Sequence, residues 1–160
     1  MTISLTKISS NHLTILKNWR NSSELWKFNN QYILLNMENQ KRWFEQISKD
    51  NNCIMYMISF RKKIVGICGL TNIEGRQGEI AIIIGVTNLH KKGIGKKALK
   101  KVLKIGFEKL NLHRIEAKIF DFNINSKKFF KSIGFMYEFT LRENFWRFGK
   151  WNNVEVYSIL

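Results

Sequence analysis

The sequence predicts an α+β fold in which one mixed, mostly antiparallel sheet is flanked by helices. Three observations carry that expectation. Residues 78–86 form an apolar, β-branched run that reads as a buried strand. It passes through His90-Lys91-Lys92-Gly93-Ile94-Gly95 into a segment whose apolar residues Ala98, Leu99, Val102, Leu103, Phe107 and Leu110 recur at helical spacing. A second strand-like run, 114–122, is followed by a short helical segment between a cap at Asn123 and a C-terminal glycine, Gly134. Proline is absent from the 160 residues, and no Gly/Ser-rich linker, repeat or low-complexity tract divides them, so a single domain over 1–160 is expected.

In order, the pattern reads as strand 3–8, helix 11–21 with a short helical continuation over 22–28, and helix 37–49. Strands follow at 53–60, 63–72 and 77–87, joined by hairpin turns at Arg61-Lys62-Lys63 and Glu74-Gly75-Arg76. Helix 93–110, strand 113–120 and helix 124–132 come next. Strands 135–143 and 154–160 close the chain, with Phe148-Gly149-Lys150-Trp151 near the turn between them. No window approaches a membrane span, and the N-terminus lacks a secretory apolar core, so a cytoplasmic protein without membrane attachment is expected. Cys53 and Cys68 lie in separate strands without metal-ligand spacing. They read as reduced core thiols, and no metal is expected.

The strand–glycine–helix junction is the first chemical signal. Backbone N–H groups left open at a helix N-terminus favour a phosphate or pyrophosphate, and glycines let the backbone approach it closely. The dinucleotide fingerprint fails, because no third glycine follows at the right spacing, and the Walker pattern lacks its Gly-Lys-Ser/Thr. A plain strand-to-helix turn is the alternative to an anion site.

Taken together, Gly93 and Gly95 in the first segment, and Asn123, Ser126, Phe130, Gly134 and Phe135 in the second, resemble the two acetyl-CoA-binding signatures of the GNAT superfamily of N-acetyltransferases. His90 stands where the family usually has Gln or Arg. The resemblance implies the GNAT fold, acetyl-CoA as co-substrate and acyl transfer to an amine. It also implies that Ile84, Gly85 and Val86 line the pantetheine arm through main-chain atoms. The pyrophosphate would sit on the amides of Lys91, Lys92, Gly93, Ile94, Gly95 and Lys96. Asn123 and Ser126 can serve as helix caps or as partners of the cofactor arm, and Phe130 would border it. Many GNAT enzymes carry a tyrosine at the position of Phe130 as general acid. A phenyl ring has no proton to give, so Ser126, a water, or unassisted departure of the thiolate takes that role.

The transfer needs a neutral amine and therefore a proton acceptor. Glu79 is the lone carboxylate in an apolar strand, which makes it the first candidate base; the alternative is a solvated residue at the strand's start. Asp121 competes, acting through water, unless it merely caps the turn before Asn123.

Charge bears on the acceptor. The chain has 27 Lys+Arg against 12 Asp+Glu, a net +15, which favours anionic partners, although Lys and Asn are common throughout the sequence. No nucleic-acid-binding signature accompanies the lysines, so nucleic acid is not expected as a partner. Arg20, Asn21, Trp26 and Phe28, with Tyr32 nearby, group arginine, asparagine and aromatics suited to a flat base and phosphates. The Trp-Arg-Asn run resembles two GNAT branches, the pseudaminic-acid-pathway enzymes acting on UDP-linked amino-sugars and the ribosomal-protein N-terminal acetyltransferases. The expected acceptor is a small, anionic, UDP-linked 4-amino-sugar. The alternatives are a protein N-terminus, or a weakly catalytic CoA- or nucleic-acid-binding module. Arg142, Trp146 and Trp151 would rim the acceptor site or form a homodimer face.

Overall fold

A computed structural model of the chain describes residues 2–31 and 33–160; Tyr32 lies outside the described residues. Seven strands, β1 (Ile3–Lys7), β2 (Ile54–Phe60), β3 (Lys63–Glu74), β4 (Gln77–Ile84), β5 (Arg114–Phe120), β6 (Met136–Arg147) and β7 (Lys150–Ile159), form one sheet. Its order is β1-β2-β3-β4-β5-β7-β6. The expected mixed, mostly antiparallel α+β sheet is what forms. Only β4 and β5 run parallel, and they pair over just three positions, Gln77 with Arg114, Gly78 with Ile115 and Glu79 with Glu116. Beyond Glu79 the strands separate. There β4 leans towards β3, where the N–H groups of Gly85 and Val86 both donate to the Val65 carbonyl, at 2.9 and 3.3 Å. The opening between β4 and β5 is the origin of the cleft.

Alternation along each strand sends successive side chains to opposite faces. On one face Cys68, Leu70, Ile80, Ile115, Ala117 and Ile119 pack against Ile94, Ala98, Leu99, Val102 and Leu103 of α4 (Ile94–Lys104) and Phe130 of α5 (Ile124–Lys131). Each such buried aliphatic stabilises the fold by about 1.5–3 kcal/mol. On the other face Met57 and Ile67 meet Leu16 and Trp19 of α1 (Leu13–Asn21) and Leu25 of α2 (Ser23–Trp26). Trp43 of α3 (Met37–Lys49) closes that layer.

Several expected boundaries shift, each for a local reason. The first helix begins with a tight 3-10 turn at Ser10–His12, where His12 Nδ1 accepts from the Ser9 N–H. The continuation over 22–28 shrinks to one helical turn. The helix expected to reach residue 110 ends as α at Lys104 and widens into a π-type turn over Ile105–Lys109. Gly106 lies tight on Ile115 there; a Cβ would come within 2.7 Å of its Cδ1.

The last hairpin is longer than its apolar alternation indicates. β6 continues to Arg147 past a bulge between Leu141 and Phe145, and the chain reverses at Phe148-Gly149 with φ of 54° and 71°. Side-chain pairing substitutes for hydrophobic patterning in this stretch. Trp146 and Trp151 face each other edge-on, and Asn152 Nδ2 donates to the Arg147 and Lys150 carbonyls at 2.9 and 3.0 Å. At the hairpin's other end Arg114 bridges Glu116 and Glu138. Its hydrogen bond, with one from Ser158, brings the Glu138 carboxyl down to about 2.

Both cysteines are free and buried, and burial pushes the Cys68 thiol up to about 12. Among the described residues, no helix is long and apolar enough to cross a membrane.

Candidate active site

The gap between the diverging ends of β4 and β5 opens into a cavity of about 820 Å³. One end is walled by Ile84, His90, Lys91, Gly93, Ile94, Gly95 and Lys96, with Asn123, Ser126, Phe129 and Phe130 across from them. The other end is walled by Phe28, Asn29, Asn30, Phe120, Asn144 and Phe145, and Lys118 lies between.

The first end is a helix N-terminus made accessible by backbone shape. Lys91 and Gly93 adopt φ of 60° and 78°, turning the chain sharply into α4. The Lys97 N–H closes the first helical turn on the Gly93 carbonyl at 3.1 Å. The N–H groups of Ile94, Gly95 and Lys96 therefore have no acceptor within the helix, and they carry the positive end of its dipole. A Cβ at Gly95 would rest 3.4 Å from the Phe129 ring and 3.6 Å from Ile84 Cγ1, both cleft-lining residues. Keeping that spot empty keeps the groove open. His90 Nε2 lies 2.7 Å from the Ile84 carbonyl oxygen, and Lys96 Nζ donates to the Ser132 carbonyl at the end of α5 at 3.0 Å.

Of the other residues singled out from sequence for this end, Asn123 caps α5 by accepting from the Ser126 N–H at 3.2 Å. Phe130 is buried, edge-on to Phe129 and Phe135, in an aromatic wall that holds no proton donor of its own. Gly85, Val86 and Lys92 do not line the cavity. At Gly85 the absence of a side chain has a different reason. A Cβ there would fall 1.9 Å from the Trp19 ring, so this glycine accommodates the indole beneath β4.

Glu79 stands where β4 and β5 part. Its carboxylate accepts from Lys118 Nζ at 2.8 Å and from Asn72 Nδ2 at 3.3 Å. The bond to Glu79 raises the Lys118 ammonium above its ordinary range, so the lysine stays charged. Asp121, half-buried, ends β5 with its N–H on the Asn153 carbonyl at 3.1 Å and does not line the cavity. Ser126 does line it, half-buried.

The four substrate candidates separate. Phe28 borders the cleft, next to a ring cluster in which Phe122 packs between Phe28 and Phe120. Arg20 lies over the Trp43 ring at 5.6 Å, where burial lowers its pKa. Asn21 braces the following loop, donating to the Leu35 carbonyl at 2.7 Å and accepting from the Leu35 N–H at 2.8 Å. Trp26 carries the Arg147 guanidinium 3.9 Å above its ring. Trp146 and Trp151 are exposed on the hairpin, away from the cleft lining. Lys118, Asn29, Asn30, Asn144 and Phe145 were not singled out from sequence. No local pattern marks them: even Lys118 lies in a strand that also carries Arg114 and Glu116. No group of three or more His, Cys, Asp or Glu arranged to hold a metal ion occurs among the described residues.

A strand–glycine–helix anion site opening on diverging parallel strands defines a class, and the chain belongs to the GNAT family of acetyltransferases: residues 3–136 match its domain model. Known proteins place it further. It is 31% identical over 127 residues to an uncharacterised N-acetyltransferase, p20, of Bacillus licheniformis, covering 79% of this chain and 66% of that protein. It is 32% identical over 155 residues to an uncharacterised Methanocaldococcus jannaschii protein, of which the match covers only 30%, against 90% of this chain. The chain thus spans about two thirds or less of these relatives' lengths. It is 23% identical over 127 residues to the acetyltransferase PseH of Campylobacter jejuni, covering 79% of this chain and 78% of PseH. Its fold matches a spermidine N-acetyltransferase of Vibrio cholerae, solved with CoA and spermine, at a TM-score of 0.91. Identity there is 22%, over 99% of this chain and 95% of that one. The family match and the site thus meet in one place, where the open amides of the α4 turn and the empty volume at Gly95 adjoin the strand opening.

Proposed function

We propose that the chain acetylates the amine of a nucleotide-linked 4-amino-sugar, with its binding groups drawn from the cleft described above and its proton acceptor, Glu79, behind the lining residue Lys118 rather than in the lining itself. Acetyl-CoA supplies the activated acetyl group. The amides of Gly93, Ile94, Gly95 and Lys96 hold its diphosphate, with Lys91 nearby. Ile84 and Ser126 border the arm. Glu79 is the group that takes the proton from the incoming amine, because it stands at the point where β4 and β5 part. Lys118, anchored on Glu79, brings a permanent positive charge to the same place.

The observation that carries this reading is the sign of the cavity. Its lining includes Lys91, Lys96, Lys118, Lys128 and His90 and no carboxylate. A positive, partly desolvated cavity disfavours an ammonium and favours an amine that gives up its proton readily. Alkylamines such as those of polyamines titrate near the lysine value of about 10.4. An amine flanked by the electron-withdrawing oxygens of a sugar ring is less basic. Phe28 and its ring neighbours offer a face for the base. The likeness to PseH points in the same direction, whereas the match to the polyamine enzyme concerns fold alone.

A protein N-terminus is the second reading. Its α-amino group titrates near 7.7–8.0, and Asn29, Asn30 and Asn144 offer amides that pair with a peptide backbone. A thioester-consumption assay with a UDP-linked 4-amino-sugar, short peptides and spermidine separates these. The sugar is expected to exceed spermidine by at least tenfold in kcat/KM. Preference for spermidine contradicts the assignment, and preference for peptides replaces it with the second reading.

A further inference from the structure

One wall of the cleft has no hydrophobic reason to stay where it is. The described residues of the connection between α2 and α3, 27–31 and 33–36, have no regular secondary structure. Among its described apolar side chains none is fully buried: Phe28 is 36% exposed, Ile33 62% and Leu34 66%, and Leu35 is half-buried. Yet Phe28, Asn29 and Asn30 from this strap border the cavity. Ordering an irregular segment costs about 1–2 kcal/mol per residue in backbone entropy. Something other than burial must hold it.

Two side chains do so from its two ends. Asn21 grips Leu35 at the far end through both its amide groups. At the near end Arg147, only 2% exposed, reaches across from the tip of the β6–β7 hairpin. Its Nη1 donates to the Gln31 carbonyl and its Nη2 to the Trp26 carbonyl, each at 2.5 Å, while the guanidinium plane stacks 3.9 Å above the Trp26 ring. The two carbonyls bracket the residues that face the cleft. A planar fork satisfies both at once and still stacks on the indole, which a lysine's point charge does not reproduce.

We propose that Arg147 is a positioning residue for the acceptor: by clamping Trp26 and Gln31 it sets Phe28, Asn29 and Asn30 in the cleft wall, and it has no part in holding acetyl-CoA. This rests on the reading that this end of the cavity receives the amine. It couples the hairpin tip, more than a hundred residues later in the chain, to the acceptor wall.

The test uses Arg147→Lys and Arg147→Met with a UDP-linked 4-amino-sugar as probe. Both variants are expected to raise the KM for the sugar at least tenfold and leave the KM for acetyl-CoA within twofold. Loss of the fork, rather than of the charge, makes the lysine variant behave like the methionine one. Hydrogen exchange read by mass spectrometry is expected to quicken at least tenfold in residues 26–31 and not in residues 93–97. Equal rises in both KM values, full rescue by lysine, or unchanged exchange in 26–31 overturns the clamp. If the wild-type protein does not acetylate the sugar, the proposed acceptor falls, and the exchange measurement alone decides the clamp. If Arg147→Met fails to fold, Arg147→Lys and Trp26→Leu, which removes the stacking face, give the same readouts.

Discussion

The two ends of the cleft are built on different principles. At the α4 end, proposed to hold acetyl-CoA, one continuous segment supplies most of the wall: β4 runs into the glycine turn and α4, and the groups on offer are largely backbone amides. At the acceptor end the wall is assembled from three distant places, the strap after α2, the end of β5 and the middle of the β6–β7 hairpin. Recognition there falls to side chains, mostly asparagine and phenylalanine. A backbone-built site tolerates change in most side chains, provided the glycines remain. A side-chain-built site can change its ligand through single substitutions while the fold persists. The proposed acceptor is compatible with a fold shared at a TM-score of 0.91 with a polyamine enzyme, because the fold does not fix the side chains at that end.

The largest expected effect lies at the junction of the two ends. Glu79→Gln is expected to lower kcat/KM by about a hundredfold or more, the usual scale for a positioned base, with the affinity for CoA unchanged. Steady-state kinetics together with calorimetry read both numbers. A loss under fivefold leaves Glu79 as a holder of Lys118 and nothing more.

Two glycines, both assigned from sequence to the cofactor, sharpen the contrast within the first end. Gly85→Ala drives a methyl into the Trp19 ring and is expected to destabilise the protein by about 2–3 kcal/mol, in the range of core overpacking. Gly95→Ala meets only ordinary contacts, so thermal or chaotrope unfolding is expected to shift by less than about 1 kcal/mol. Its methyl enters the groove between Phe129 and Ile84, and the Kd for CoA is expected to rise about tenfold, equivalent to roughly 1.4 kcal/mol. If the two substitutions behave alike, the division between a packing glycine and a binding glycine is wrong.

The same division marks how far the sequence could be read. The sheet, the alternation of strand and helix, and the glycine turn were legible because each is a local pattern: β-branched runs, helical spacing, caps. The residues that carry the resemblance, Gly93, Gly95, Asn123 and Ser126, all line the cavity. The packing of Gly85 on Trp19 was not legible, because the two are far apart in sequence and no local pattern announces that contact. Asn29, Asn30 and Asn144 went unnoticed for a related reason. Asparagine is abundant in this chain, and only the fold separates those that face the cavity from the rest. Arg147 belongs with them: read locally it is one more cation in a basic hairpin, and its burial against Trp26 and Gln31 appears only in three dimensions. The length of the hairpin was missed because exposed strands on a sheet edge carry little hydrophobic alternation to read.

The central claim is that main-chain amides at the start of α4, facing the parted ends of β4 and β5, receive the co-substrate. Titrating CoA into the ¹⁵N-labelled protein and following amide shifts tests it directly. The account predicts the largest changes at Gly93, Ile94, Gly95 and Lys96, with smaller ones at Ile84, Lys118 and Ser126 and almost none in β1 or β2. Changes centred on the hairpin or on α3, with the α4 turn unmoved, contradict it.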